Sequence, residues 1–396
     1  MVFDGLRRLR REWRGLRAFR AVPRAERQLV FYSEGPGYWT YFEPVFRALQ
    51  AEHGQSVLYV TSAEQDPVYR EPPAGLRAFH VGLGVVRTTF FATLDADVLV
   101  MTMPDLQTMH IKRSPHPVHY CYLNHSMVST HMVYRPAAFD HFDSMLCVGP
   151  HHVEEIRKRE AQHGLRPKTL FEHGYGRLDT ILENSHAGPL DRAPGEPGQI
   201  LVAPSWGASS LIELHGAAAI QPLLDAGFKV VLRPHPQTRR LNPRGLDEIA
   251  ARYADEPRFS MDENGDAHAS LAESDIMVSD WSGAALEFAF GQERPVIFVD
   301  VPRKILDPDY KALGIEPLEV KIRTEVGAVV EPAELAGLGG VAQDVMADIG
   351  NWQLATRAAR ERWIFNVGRS GSAGADCLMS LLGQASTRTQ QGARSA

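Results

Sequence analysis

The sequence lacks the features of several protein classes. No stretch of 18 residues is both uncharged and apolar, so no transmembrane helix is expected. The N-terminus has no short apolar stretch followed by a small-residue cleavage site, so no secretory signal is expected either. The three cysteines, Cys121, Cys147 and Cys377, are widely spaced without a CxxC pair, which is typical of buried thiols in a reducing compartment. We therefore expect a cytoplasmic protein.

Common catalytic and metal-binding motifs are also missing. The sequence contains no GxxxxGK[ST], no GxGxxG after its first predicted strand, no HExxH and no GxSxG. These absences argue against a P-loop kinase, a Rossmann dehydrogenase, a zincin and an ordinary α/β-hydrolase. Eight of the sixteen histidines lie between His110 and His152, but their spacing gives no recognisable ligand pair with a supporting carboxylate. No metal site is predicted.

The size and the charge distribution indicate two globular domains preceded by a basic segment. The chain has 396 residues, 44% of them hydrophobic and 23% charged, which suits a soluble protein of two domains. Residues 1–27 hold nine arginines against Asp4, Glu12 and Glu26, a net charge of +6. The remainder holds 33 basic and 45 acidic residues, a net charge of −12, which argues against nucleic-acid binding by the body.

The basic segment has the periodicity of an amphipathic helix. Apolar residues recur at steps of three and four on one face: Val2, Leu6, Leu9, Trp13 and Leu16. Arginines occupy the other sides, among them Arg7, Arg10 and Arg14, and Pro23 ends the segment. This pattern predicts a helix over residues 1–27 that lies on an anionic membrane surface, attached to the inner face of the cell membrane. The alternative is a solvated helix that caps the first domain with its apolar stripe.

The body reads as two successive α/β domains. Short apolar runs alternate with helical segments from Gln28 onward, which predicts a parallel, doubly wound sheet. A segment rich in Pro, Gly and Asp, residues 186–199, marks a linker, after which the alternation restarts. We predict an acceptor-side Rossmann-like domain at 28–190, a nucleotide-donor-binding Rossmann-like domain at 191–384 and a polar tail at 385–396. The last helices, about 340–384, are candidates to cross back to the first domain. This is the GT-B plan, in which donor and acceptor meet in the cleft that the two domains face.

Four segments follow predicted strands, where a doubly wound sheet binds its ligand. They contain His125 in LNHSMVSTH, Ser205 and Trp206 in APSWG, Arg233 and His235 in RPHP, and Ser279, Asp280 and Ser282 in SDWSG. Arginine, histidine and the amides that open a helix after Ser282 can bind phosphate oxygens. Asp280 is a poor phosphate contact, so we expect it to orient a donor or to bind a hydroxyl.

The order of these segments resembles the CDP-glycerol glycerophosphotransferase family of teichoic-acid and capsule enzymes. In that family the pattern runs APTWR, KxHP, SDYSS…DF…KPVIF, and here it runs APSWG, RPHP, SDWSG and RPVIF. HGYGRLD, with Arg177 and Asp179, is similar to the GxPRxD segment of the family, and LNHSMVSTH stands at the place of WHGT. The similarity spans about residues 115–320.

The resemblance implies a GT-B fold and a metal-independent, cofactor-free transfer of glycerol phosphate from CDP-glycerol to a hydroxyl. It also implies that His125 is the base and that His235, Ser279, Asp280 and Ser282 bind the donor. Three positions depart from the pattern: Gly207 stands at the place of Arg, Gly283 at that of Ser and Glu287 at that of Asp.

Several further residues are candidate donor or acceptor contacts. They are Glu34, Gly35 and Gly37 in the EGPGY turn, Arg177 and Asp179, and Arg369 and Ser370 in the turn FNVGRSGSAG. The expected acceptor is a membrane-associated lipid or lipid-linked glycan, and no feature indicates an oligomeric state. Two other functions remain open: a GT-B glycosyltransferase that uses a UDP- or CMP-sugar, and an inactive GT-B scaffold.

Overall fold

The structure divides the chain into two compact units. The computed structural model describes residues 2–107, 111–184, 188–193, 195–262 and 267–395, of which 2, 3, 267, 268 and 386–395 are described by their backbone alone. Unit 1 comprises Met1–Ser126, Tyr134–Arg177 and Ile364–Ala396, and unit 2 comprises Met127–Val133 and Leu178–Trp363. His110, parts of the predicted linker and the side chain of Val2 lie outside the described residues.

Unit 1 contains a parallel sheet of seven short strands, which are buried except for the edge strand β7 and part of the other edge strand, β3. Their order across the sheet is β3-β2-β1-β4-β5-β6-β7, so the order reverses between β1 and β4. The strands are β1 (Leu29–Ser33), β2 (Val57–Thr61), β3 (Leu76–His80), β4 (Val98–Met101), β5 (His119–Leu123), β6 (Ser144–Cys147) and β7 (Thr169–Glu172).

Helices cover both faces of this sheet, as expected for a parallel sheet whose strands are apolar along their length. They are α1 (Val2–Ala21), α2 (Trp39–His53), α3 (Pro67–Arg70), α4 (Val85–Ala92), α5 (Pro150–His163) and the last helix of the chain, α16 (Ser370–Ser395). The last helix lies against α2, and its glycines permit this approach: a Cβ at Gly371 would lie 2.7 Å from the Pro44 carbonyl oxygen.

The N-terminal helix α1 is part of the unit 1 core. Leu16, Phe19 and Val22 are almost fully buried, and Leu9 and Trp13 pack partly buried against the same core cluster. At Gly15 the helix passes so close to β3 that a Cβ would lie 1.9 Å from the His80 carbonyl oxygen. We predicted a helix whose apolar face lies on a membrane. That prediction is wrong about the packing of the helix, because Leu16 packs in the core of unit 1 instead and Leu9 and Trp13 pack against that core. Among the apolar residues that were expected to face a membrane, Leu6 stays exposed, at 51%.

Unit 2 contains a second parallel sheet, with the order β10-β9-β8-β11-β12-β13. Its order reverses between β8 and β11. The strands are β8 (Gln199–Val202), β9 (Lys229–Leu232), β10 (Phe259–Met261), β11 (Ile276–Ser279), β12 (Val296–Val299) and β13 (Gly327–Val330).

The helices between and after these strands bury a core of their own, which includes Ile200, Val230 and Val278. They are α7 (Leu211–His215), α8 (Gln221–Asp225), α9 (Pro236–Leu241), α10 (Pro243–Arg252), α11 (Ala267–Ala272), α12 (Gly283–Gln292), α13 (Leu318–Lys321), α14 (Leu338–Ala347) and α15 (Ile349–Trp363). The remaining helix, α6 (Gly176–Asn184), contains the unit boundary between residues 177 and 178.

The unit boundaries differ from the predicted ones. The prediction placed one boundary near residue 190, whereas unit 2 begins at Leu178 and also takes in Met127–Val133. Buried Glu319 explains the second difference, because its carboxylate accepts hydrogen bonds from the Ser129 backbone N–H and hydroxyl, each at 2.8 Å. Within the described residues, no helix combines the length and apolarity that crossing a bilayer requires.

Candidate functional site

The unit 2 site is built on the strand ends at its switch point. Ser205 and Trp206 follow β8, and Asp280, Trp281 and Ser282 follow β11, its neighbour in the sheet. Ligands of doubly wound sheets bind in the crevice at the carboxyl ends of such strands. The predicted APSWG and SDWSG segments are thus brought together.

Asp280 and Ser279 stabilise this edge of the sheet, and their expected contact with a donor stays a prediction. Asp280 is 1% exposed, and its two oxygens accept hydrogen bonds from the backbone N–H groups of Ser205 (2.7 Å) and Leu211 (2.9 Å). Burial raises the Asp280 pKa, and those amide hydrogen bonds oppose the rise. Ser279 is fully buried, and its hydroxyl donates to the Ala203 carbonyl at 2.7 Å. Both side chains therefore fix the loop that presents Trp206.

His235 caps α9 and lies beside Trp206. Its Nδ1 accepts the Gln237 backbone N–H at 3.1 Å, and its ring centroid is 6.0 Å from that of Trp206. Burial, together with the nearby charges of Lys304 and Arg233, lowers the His235 pKa to about 4, so the ring is neutral near pH 7. Because Nδ1 is an acceptor, Nε2 carries the proton and can donate it in a hydrogen bond to a ligand.

A cluster of basic and aromatic side chains surrounds this edge, and the sequence analysis identified Arg233 and Trp206 among its members but not the others. Lys304 Nζ lies 3.8 Å from the centroid of the Trp206 ring. The guanidinium carbons of Arg303 and Arg323 lie 5.4 Å and 4.2 Å from the centroid of the Trp281 ring. We call Arg233, Arg303, Lys304 and Arg323 the unit 2 cation cluster. The signal available in the sequence was a basic pair, Arg303 and Lys304, after the strand that begins at Val296.

Arg323 is the buried member of this cluster. It is 4% exposed and donates to Asp300 at 2.5 Å, while its Nε and Nη2 are buried without a hydrogen-bond partner in the described structure. Burial lowers the Arg323 pKa, and the Asp300 carboxylate opposes that shift. Trp281 is fixed in turn by a 2.7 Å hydrogen bond from its Nε1 to the Val301 carbonyl. These contacts hold the cluster in place before a ligand binds. Its four positive charges exceed the two negative charges of Asp280 and Asp300.

Ser282 and Gly207 complete the predicted segments of unit 2. The Ser282 hydroxyl accepts the Ala284 backbone N–H at 3.4 Å and so caps α12, whose first N–H groups point out of the helix at this edge. Gly207 adopts a φ of +105°, which L side chains rarely take. The arginine that the family pattern carries at this position would be strained in this backbone.

The unit 1 site also lies at a switch point. Glu34 directly follows β1, Asp105 lies on the loop after β4, and His125 lies just beyond β5. Asp105 has a φ of 64°, a strained conformation for a residue other than glycine. Burial raises the pKa of the Glu34 carboxyl to about 7; the Asp105 charge adds to the rise and Arg87 opposes it.

His125 is enclosed by aromatic side chains. Its ring centroid lies 5.7–6.3 Å from those of four tyrosines: Tyr38, Tyr41, Tyr122 and Tyr134. Its Nδ1 is 3.0 Å from the Tyr122 hydroxyl oxygen, and the ring also hydrogen-bonds to the Thr102 backbone. Burial lowers the His125 pKa to about 4, and the Thr102 contact opposes this shift.

The other candidate residues lie on three further segments. Gly35 and Gly37 flank Pro36, where a 3₁₀ turn (Pro36–Tyr38) follows Glu34. Arg177 and Asp179 lie in the first turn of α6, with Asp179 buried. Arg369 is exposed and Ser370, the first residue of α16, is fully buried. The FNVGRSGSAG segment thus contains helix-packing residues, and the anion-binding role expected there stays a prediction.

Known structures share the fold of this chain. A glycosyltransferase from Rickettsia africae ESF-5 has 12% sequence identity and a TM-score of 0.51, covering 90% of this chain and 99% of its own. UDP-GlcNAc 2-epimerase from Neisseria meningitidis bound to UDP-GlcNAc has 13% identity and a TM-score of 0.56 over 90% and 99%. The Methanocaldococcus jannaschii UDP-GlcNAc 2-epimerase in complex with UDP-GlcNAc and UDP has 12% identity and a TM-score of 0.53 over 89% and 99%. These similarities confirm the predicted GT-B fold class.

The sequence comparison identifies the family. No curated protein matches the chain significantly. A family profile, in contrast, covers residues 18–303, which include His125, His235 and the SDWSG segment. This match is to CDP-glycerol:poly(glycerophosphate) glycerophosphotransferase, and the chain belongs to that family of transferases.

Proposed function

We propose that this protein transfers glycerol phosphate, or a related alcohol phosphate, from a CDP-activated donor to a hydroxyl of a membrane-associated acceptor. The observation that carries the proposal is the unit 2 cation cluster, arranged around two tryptophans at the switch point of the sheet. Two indole faces suit a nucleotide base, and several fixed cations suit a diphosphate.

The proposed reaction breaks the bond between the β-phosphorus and the oxygen that bridges the two phosphates. The acceptor hydroxyl oxygen attacks the β-phosphorus, CMP leaves with the electron pair of the broken bond, and the hydroxyl proton passes to a base. Negative charge grows on the leaving phosphate, where Arg233, Lys304 and the Nε2–H of His235 would stabilise it. The cluster supplies charge of the kind that a divalent metal supplies elsewhere, so we propose transfer without a metal or another cofactor.

Ligand-induced thermal stabilisation tests the donor. CDP-glycerol should raise the unfolding temperature of the protein more than UDP-GlcNAc does at equal concentration. Arg303→Ala with Lys304→Ala should remove most of that increase, because both cations line the exposed side of the site. Arg244→Ala, an exposed arginine on α10, is the matched control and should keep the full increase. Stronger stabilisation by UDP-GlcNAc would favour a sugar-nucleotide enzyme instead.

We also propose attachment to an anionic membrane surface, by charge and not by insertion of the α1 apolar stripe. Arg7, Arg10, Arg14 and Arg17 are exposed and recur at steps of three and four, so they form one stripe. Beside it a groove of about 480 Å³ is lined by Leu6, Leu9 and Trp13 together with three of these arginines. Each arginine near an anionic surface contributes about 1 kcal/mol of attraction.

Charge reversal tests this attachment without removing the helix that unit 1 needs. Arg10, Arg14 and Arg17 changed together to Glu should abolish binding to phosphatidylserine vesicles, and wild-type binding should weaken as salt rises. The control reverses three exposed arginines elsewhere in unit 1, Arg47, Arg70 and Arg166. Equal loss in both triple variants would contradict the proposed surface.

A further inference from the structure

The unit 1 switch point contains a carboxyl group that the expected mechanism leaves without a role. Glu34 directly follows β1, at the point where the sheet order reverses toward β4. Its side chain is half-buried, and no described residue hydrogen-bonds to its carboxylate. A carboxyl at this position, partly open and without fixed donors, is placed to contact a ligand in the crevice.

The histidine expected to act as base is poorly placed for that task. The His125 ring already contacts the Tyr122 hydroxyl and the Thr102 backbone, and four tyrosine rings surround it. The Tyr175 hydroxyl also donates to the His125 carbonyl, at 3.2 Å. Such contacts are typical of a residue that holds the surrounding tyrosine side chains in place. A group with a pKa of about 4 is also a weak acceptor for an alcohol proton near neutral pH.

We propose that Glu34 is the proton acceptor of the transfer reaction, the group to which the acceptor hydroxyl gives its proton. As the oxygen of that hydroxyl forms its bond to the β-phosphorus, the O–H proton moves to a Glu34 carboxylate oxygen. The bond from the phosphorus to the bridging oxygen breaks, and CMP leaves with that electron pair. The assignment rests on the proposed function and names the unit 1 residue that would contact the acceptor.

Charged and titratable groups from five segments face Glu34. Arg87 on α4 favours its ionised form, whereas Asp105 after β4 opposes it. The hydroxyls of Tyr32 on β1, Tyr38 in the 3₁₀ turn and Tyr122 on β5 are close enough for the Glu34 charge to raise their own pKa values. Burial has the largest effect on Glu34, and together with these charges it raises the Glu34 pKa to about 7. A general base with a pKa in this range works best at neutral pH.

The pH dependence of the folding stability provides a test that requires no measurement of activity. Because the pKa of Glu34 is raised in the folded protein, its protonated form is the stabilising one. That stability is fully present below the unfolded pKa and is lost as the pH rises through about 7. Glu34→Gln carries a permanently neutral side chain, so its unfolding temperature should exceed that of the wild type increasingly from about pH 5 to about pH 8.

The decisive experiment compares wild type, Glu34→Gln and Glu34→Asp with CDP-glycerol as donor and a poly(glycerophosphate) primer as acceptor. Glu34→Gln should lower kcat by about 10²-fold or more while the CDP-glycerol Kd stays within a few-fold, and Glu34→Asp should recover part of the rate. Wild-type transfer with an unchanged kcat in Glu34→Gln would overturn the assignment and leave the proposed function standing. Failure of the wild type to bind CDP-glycerol or to transfer glycerol phosphate would overturn the proposed function itself.

Discussion

At the switch point of its sheet, each unit places an acidic residue directly after a strand, and the two residues have opposite surroundings. Asp280 in unit 2 is buried, and both of its oxygens accept backbone N–H groups. Glu34 in unit 1 is half-buried, and no described residue donates a hydrogen bond to it. The two residues follow different strands of the switch point, β1 in unit 1 and β11 in unit 2. One carboxyl stabilises a loop, and the other has no fixed hydrogen-bond donor.

The charged side chains around Asp280 and Glu34 also differ. The unit 2 cation cluster assembles four basic side chains beside two tryptophans. At the unit 1 switch point, Glu34 and Asp105 face Arg87, and aromatic hydroxyls replace the cations. A site that binds polyanions needs fixed positive charge, whereas a site that removes a proton needs a base of suitable pKa. A shared topology therefore does not determine the chemistry of a site, which depends on the side chains at the strand ends.

The largest expected effect on stability separates the two acidic residues. Asp280→Ala should lower the free energy of unfolding by about 2–4 kcal/mol, because the Ser205 and Leu211 amides lose their acceptor. Glu34→Gln should not lower it. Urea unfolding of both variants measures the contrast, and Asp280→Asn, which keeps one acceptor oxygen, should fall between Asp280→Ala and wild type. A loss of less than about 0.5 kcal/mol in Asp280→Ala would mean that the loop does not depend on this carboxylate.

A second difference between the units is the helix that unit 1 adds at its N-terminus. Gly15→Ala should lower the free energy of unfolding by about 1–3 kcal/mol, because a Cβ there would overlap the His80 carbonyl. Gly5→Ala is the matched control on the same helix, where a Cβ meets nothing within 4 Å. It should stabilise the helix by up to about 1 kcal/mol through alanine propensity. Equal stabilisation by both changes would show that α1 does not dock on β3.

The smallest expected effect concerns His235, which caps α9 and which we propose also binds the donor. His235→Ala should cost about 1 kcal/mol of stability through loss of the α9 cap, whereas His235→Asn should keep the cap. Both changes remove the Nε2–H, so both should weaken CDP-glycerol binding about 10-fold. Thermal unfolding and calorimetric titration separate the two roles. Undiminished binding by His235→Asn would assign the imidazole to the cap alone.

The fold was largely predictable from the sequence because the strand and helix periodicities are strong. Runs such as LVFYS and IMVS are strands, and the four motif segments lie at strand ends as predicted. The packing of α1 was not predictable, because an amphipathic pattern does not identify what covers the apolar face. Phe19, which continues the stripe, and Gly15 within the helix were the available signals of a buried helix.

The site was predictable in part. Short motifs predicted where Trp206, His235 and Ser282 lie, but they could not tell a buried serine such as Ser279 from an exposed one. Arg323 follows α13, forty residues beyond the end of the SDWSG segment, and only the fold brings it to Trp281. Desolvation of His125 and Glu34 likewise depends on neighbours that are distant in the chain. The family resemblance implied His125 as the base, whereas our proposal of Glu34 depends on the structure.

We expect donor binding in unit 2 and proton acceptance in unit 1 to depend on different groups. Measuring the CDP-glycerol Kd and the single-turnover transfer rate of the wild type from about pH 5.5 to about pH 8.5 tests this expectation directly. His235 stays neutral over this range and the donor diphosphate diester does not titrate in it, so the Kd should be constant. The rate should rise about tenfold per pH unit below about 7 and then level off, as Glu34 ionises. A rate that stays flat across the range, as a base with the pKa of His125 would give, or a Kd that changes in parallel with the rate, would contradict the account.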